Sequence, residues 1–114
     1  MKVMKFGGTS VGSPQRMKEV TALVTKFNEP VFVVLSAMSG TTNSLVEISD
    51  YLYKKNPDGA NEVINRLEQK YDKHVDELYT KDATKAETRE FLKSEFDYLR
   101  SFPVGKRRRY RRRH

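Results

Sequence analysis

The chain has 114 residues, 37% hydrophobic and 32% charged, which suits one domain with a small core and excludes a membrane span, since no run of about 18 apolar residues occurs. The absence of cysteine excludes disulfides and thiolate metal sites and fits a cytoplasmic protein. The net charge of +7 is local: seven Lys/Arg and no acid lie between Lys106 and His114, leaving 15 basic and 15 acidic residues over 1–105, so a basic folded body of the kind that binds nucleic acid is not indicated.

Val3-Met4-Lys5-Phe6 reads as a short strand ended by Gly7-Gly8, with no signal-peptide apolar region before it. Ser13-Pro14 reads as a helix start, Ser as N-cap and Pro at the first helical position. Met17, Val20, Val24 and Phe27 follow at helical spacing, with Leu23 beside them, until Asn28-Glu29-Pro30 stops the helix. Val31 to Leu35 is a continuous apolar, mostly β-branched run. It predicts a strand of a parallel sheet covered on both faces.

Ser36 to Asn43 is small, polar and contains Gly40, which predicts a loop. A second helix is expected next, with Leu45, Ile48, Ser49 and Leu52 on one face and a Ser44/Glu47 capping box. Asn56-Pro57-Asp58-Gly59 predicts a turn. Two long amphipathic helices complete the series. The first carries Ile64, Leu67, Tyr71, Val75 and Leu78, and the second, starting at Asp82 or at a Thr84/Glu87 box, carries Phe91, Leu92, Phe96, Leu99 and Phe102. Phe91, Phe96, Tyr98 and Phe102 are expected in the core, and His74 on a solvated helix surface. The order β-α-β-α-α-α opens with a parallel crossover, an α/β arrangement.

Each strand ends in a small-residue loop that opens a helix, which is where ligands sit in open parallel α/β sheets. In Lys5–Gly12, glycines let a phosphate approach the backbone, the helix N-terminus behind adds a favourable dipole, and Lys5 offers a flexible point charge. That set suits phosphoryl transfer, which depends on positioning and charge neutralisation. The spacing fits neither the Walker A pattern, since Ser13-Pro14 stands where Lys-Ser/Thr is needed, nor the dinucleotide fingerprint, since the glycines are 7, 8 and 12. No carboxylate pair suited to acid–base or metal chemistry stands out, so no metal ligand is assigned.

The string K-F-G-G-T-S-V-G directly after an N-terminal strand resembles the signature of the aspartate kinases, within the amino-acid kinase superfamily. V-L-S-A-M-S-G-T-T-N, from Val34 to Asn43, resembles the second loop of the same family. The resemblance implies the N-terminal part of a three-layer αβα catalytic domain over residues 1–102. It also implies transfer of the ATP γ-phosphate, with Mg²⁺ bound through ATP, to the side-chain carboxylate of L-aspartate, at the head of lysine, threonine and methionine biosynthesis. Residue by residue, it makes Lys5 the catalytic lysine, sets Gly7 and Gly8 against the phosphates with Thr9 and Ser10 as hydroxyl partners, and gives Ser36 and Thr42 to the aspartate. Without it, Lys5 could be a strand-end lysine, Gly7-Gly8 a plain turn, and Thr42 a helix cap.

The chain departs from the family by lacking a later Gly-Glu segment, a Gly-rich segment with an Asp, and a regulatory region. The 114 residues alone are therefore expected to be inactive and, with apolar faces uncovered, to form a homo-oligomer or aggregate. Pro103-Val104-Gly105 ends the familiar pattern, and 103–114 is expected to be a disordered basic tail. It reads as a frameshift or cloning accident, or alternatively as a genuine tail with unspecific, salt-sensitive affinity for nucleic acid or acidic membrane. The alternatives for the whole chain are another amino-acid kinase and a small nucleic-acid-binding protein acting through that tail.

Overall fold

Ser13 sits in extended backbone, and its hydroxyl accepts a hydrogen bond from the Arg16 amide at 3.2 Å, so the helix begins at Pro14 as the sequence indicates. The computed structural model describes residues 1–102; the proposed basic tail at 103–114 lies outside the described residues. The elements are β1 (Lys2–Phe6), α1 (Pro14–Thr25), β2 (Val31–Leu35), α2 (Thr41–Tyr53), α3 (Pro57–Leu78) and α4 (Asp82–Arg100). β1 and β2 pair in parallel, Val3 opposite Phe32 and Lys5 opposite Val34, so the chain is α/β with the expected element order.

Two boundaries differ from the sequence reading. α2 begins at Thr41, because Gly40 adopts a left-handed conformation (φ 87°) that turns the chain into the helix; the Ser44/Glu47 box does not cap it. Asn56-Pro57-Asp58-Gly59 starts α3 instead of forming a free turn: the Asn56 side chain accepts from the Gly59 amide at 3.0 Å, and Pro57 takes the first helical position. Of the two starts the sequence offers for α4, the helix takes Asp82 and not the Thr84/Glu87 box.

The core is helical. Ile48 of α2, Ala60, Val63, Ile64 and Leu67 of α3, and Phe96 of α4 form its buried cluster, with Tyr51, Leu52, Tyr71, Leu92 and Leu99 packed around it. Of the four aromatics expected there, Phe96 is buried while Phe91, Tyr98 and Phe102 are exposed, because among the described residues α4 packs chiefly against α3 and the remaining positions of its stripe face outward. Ion pairs brace that seam: Arg89 contacts Asp72 and Asp76, and Arg100 contacts Glu68 across it while pairing with Asp97 of its own helix.

The sheet is not covered on both faces among the described residues. Met4, Phe6, Val31 and Val33 are half-buried on one face, whereas Val3, Phe32 (59% exposed) and Val34 lie open on the other. Two strands with both edges free leave this apolar face in water.

Candidate functional site

The two small-residue loops meet at the carboxyl ends of the strands. The Ser36 amide donates to the Phe6 carbonyl at 3.0 Å, extending the β1–β2 pairing into the loops. A Cβ on Gly8 would lie 3.2 Å from the Ala37 carbonyl oxygen, and one on Gly12 would lie 3.0 Å from the Gly8 carbonyl oxygen and 3.1 Å from Ser39 Cβ. A side chain at Gly8 or Gly12 would therefore crowd its neighbours where the two loops approach one another. Gly7 differs: a Cβ there meets nothing within 4 Å, so open space lies over its backbone.

The first loop is folded by its own carbonyls. Gly7 accepts from the Ser10 and Val11 amides, and Thr9 from the Gly12 amide. Those three amides, Ser10, Val11 and Gly12, are engaged within the loop. Lys5 lies one residue before the end of β1, on the open sheet face shared with Val3, Phe32 and Val34, and its ammonium has no partner among the described residues.

Lys5, Gly7, Gly8, Thr9, Ser10 and Ser36 are thus drawn to one end of the sheet, with Lys5, Gly7, Thr9 and Ser36 exposed and Gly8 and Ser10 half-buried. Thr42 is in the first turn of α2, exposed, where the second loop feeds the helix. It is not a cap; Gly40 holds that position. Its neighbour Thr41 is buried, and its hydroxyl shares a 2.7 Å hydrogen bond with the Tyr71 hydroxyl. Lys70 Nζ donates to the Ser39 carbonyl at 2.9 Å. These supports from α3 escaped sequence reasoning because they join residues about thirty positions apart, and Tyr71 reads only as a core position.

A cavity of about 320 Å³ lies behind the second loop, bounded by Ser36, Met38, Met17, Tyr71, His74 and Leu92. His74 is therefore not a plain surface histidine. Its Nδ1 is buried without a partner among the described residues, and burial, aided by Lys70 and Lys73 and opposed by Glu77, holds its pKa below the usual imidazole value. The larger hollow, about 620 Å³, lies between α3 and α4 away from both loops. Its Arg89, Lys93 and Arg100 are engaged by Asp72, Asp76, Asp97 and Glu68, so most of its charge is paired, while Lys73 in the same lining has no ion pair among the described residues.

No helix among the described residues is long and apolar enough to cross a membrane. The model of the amino acid kinase family matches residues 1–99. Similar curated proteins are an aspartokinase of Pseudomonas aeruginosa, 46% identical over 56 residues (46% of this chain, 14% of that protein), and Aspartokinase 1, chloroplastic, of Arabidopsis thaliana, 61% identical over 46 residues (39% of this chain, 8% of that protein). An aspartokinase of Rickettsia conorii is 42% identical over 57 residues (47% of this chain, 14% of that protein). The matched stretch thus spans about a seventh or less of the length of these relatives.

Proposed function

The chain belongs to the amino acid kinase family, and we propose that it is a piece of an aspartate kinase, contributing the phosphate loop and part of the substrate loop. The reaction proposed for the whole enzyme is transfer of the ATP γ-phosphoryl group to the side-chain carboxylate of L-aspartate. The observation that carries this reading is the contact of two glycine-containing loops at the ends of two parallel strands, beside a lysine with no partner among the described residues.

The roles follow from chemistry. Lys5 neutralises charge on the transferring phosphoryl oxygens, and the open backbone at Gly7 receives the phosphates. Thr9 and Ser10 offer hydroxyls to the same oxygens. Ser36 and Thr42 offer hydroxyl groups to the aspartate. Neither loop contains a carboxylate, so Mg²⁺ would enter bound to the nucleotide, where it would add positive charge at the phosphates. The reading places residues 1–102 in the catalytic domain, with 103–114 as a separate basic tail. It sets the protein in the cytoplasm and in lysine, threonine and methionine biosynthesis, working as a homo-oligomer. The Thr9-Ser10-Val11-Gly12 continuation favours aspartate over the substrates of other amino-acid kinases.

The test is a titration of the isotope-labelled chain, first with Mg-ATP and then with L-aspartate. Weak shifts are expected at Gly7–Ser10 with nucleotide, lost in Lys5→Ala, and at Ser36 and Thr42 with aspartate but not with glutamate. Aspartate-dependent ADP release should stay at background. No response at either loop, or an equal response to glutamate, would overturn the reading.

A further inference from the structure

Two consecutive residues of α3 grip the second loop on either side of its left-handed glycine. Lys70 Nζ holds the Ser39 carbonyl at 2.9 Å, and the Tyr71 hydroxyl holds Thr41 Oγ1 at 2.7 Å. Between them Gly40 has φ 87°, and a Cβ there would lie 3.3 Å from Lys70 Nζ. The Tyr71 ring is fixed in turn, edge-on to buried Phe96 at a centroid distance of 5.7 Å. Thr41 is only 8% exposed, so the two hydroxyls satisfy one another where water has little access.

We propose that Tyr71 and Lys70 are positioning residues of the substrate loop: by pinning Thr41 and Ser39 they set where Ser36 and Thr42, which flank the pinned stretch, stand relative to each other and to the first loop. The substrate half of this proposal rests on the assignment of Ser36 and Thr42 to aspartate. The physical need is clear in the backbone. The left-handed glycine joins a short loop to the first turn of α2, and among the described residues the backbone ties around it outside the helix's own ladder are the Thr41 amide to the Met38 carbonyl and the Ser44 amide to the Gly40 carbonyl, both 3.1 Å. A rigid helix with its ring anchored in the core supplies the external reference that a loop of this kind lacks.

Tyr71→Phe keeps the ring on Phe96 and removes only the hydroxyl; Thr41→Val removes its partner, and Thr41→Ser retains it. Amide exchange at Thr41 and Ser44 should quicken about five- to tenfold in Tyr71→Phe and in Thr41→Val. The double variant should be no faster than either, and Thr41→Ser should match the parent chain. Lys70→Met should loosen the same amides while leaving those of Ile64 and Val75 unchanged. L-Aspartate should shift the Ser36 and Thr42 signals of the parent chain, and less so in Tyr71→Phe. Exchange that is unchanged, or that rises only in step with Ile64, overturns the positioning role whatever aspartate does. A loop that loosens in the variants while the parent loop ignores aspartate supports the clamp and overturns instead the assignment of Ser36 and Thr42 to the substrate.

Discussion

Three glycines of one motif serve two different purposes. Gly12 faces the Gly8 carbonyl and Ser39 Cβ at distances where a methyl group would push on the backbone of its own loop, so Gly12→Ala should cost about 1–3 kcal/mol of stability in urea unfolding. Gly7 faces open space, and Gly7→Ala should change stability by less than about 0.5 kcal/mol while abolishing the shifts that Mg-ATP produces at Thr9 and Ser10. The same comparison separates a glycine kept for packing from one kept for ligand approach. His74 makes a further residue-scale prediction. Because burial lowers its folded pKa, the unfolded chain takes up the proton first. The stability contributed by the neutral imidazole is full above the ordinary value of 6.5 and is lost as pH falls from there through the folded pKa. The urea midpoint should therefore drop from about pH 7.5 to about pH 5.5, and His74→Gln should flatten that part of the profile. Asp76 and Asp97 are held below the usual carboxylate value by hydrogen bonds to Arg89 and Lys93, so their loss falls in more acid solution and does not overlap.

At the scale of the element, helix ends decide the architecture. α2 closes in a Schellman arrangement: the Asn56 amide reaches the Tyr51 carbonyl at 2.9 Å and the Lys55 amide reaches Leu52 at 3.1 Å. The left-handed residue this requires is Lys55, with φ 57°, not glycine. Lys55→Gly should raise stability by about 0.5–1 kcal/mol in urea unfolding, and Lys55→Ala should give no such gain, since it keeps the Cβ that causes the strain. The tight link from α2 into α3 is completed by Gly59, where a Cβ would fall 2.6 Å from the Tyr51 ring.

At the scale of the whole molecule, the helices α2, α3 and α4 hold the buried cluster, and the sheet that carries the candidate site has one face open. Val3, Phe32, Val34 and Leu35 are exposed on a two-stranded sheet, which by itself is marginal in water. The chain should self-associate at tens of micromolar, seen as a concentration-dependent sedimentation coefficient, and Phe32→Lys should shift it toward monomer. A monomer at all concentrations would mean that the open face is tolerated in water. Ile64→Ala, in the helical core, should instead cost about 2–5 kcal/mol without changing the association.

The sequence by itself determined the element order, the parallel pairing implied by a continuous apolar strand, the start of α1 and the two loops, because each of these depends on neighbours a few residues apart: a serine cap, a proline at the first turn, a period in hydrophobicity. Only the tertiary structure decided the rest. Whether Phe91 or Phe96 is buried depends on which side of α4 meets α3. Whether Thr41 or Thr42 is held depends on Tyr71, thirty residues away. Whether Gly8 and Gly12 serve packing depends on a second loop that arrives from another strand. Local propensity fixes how each segment begins and ends, but packing between distant segments fixes which of its side chains remain for a ligand.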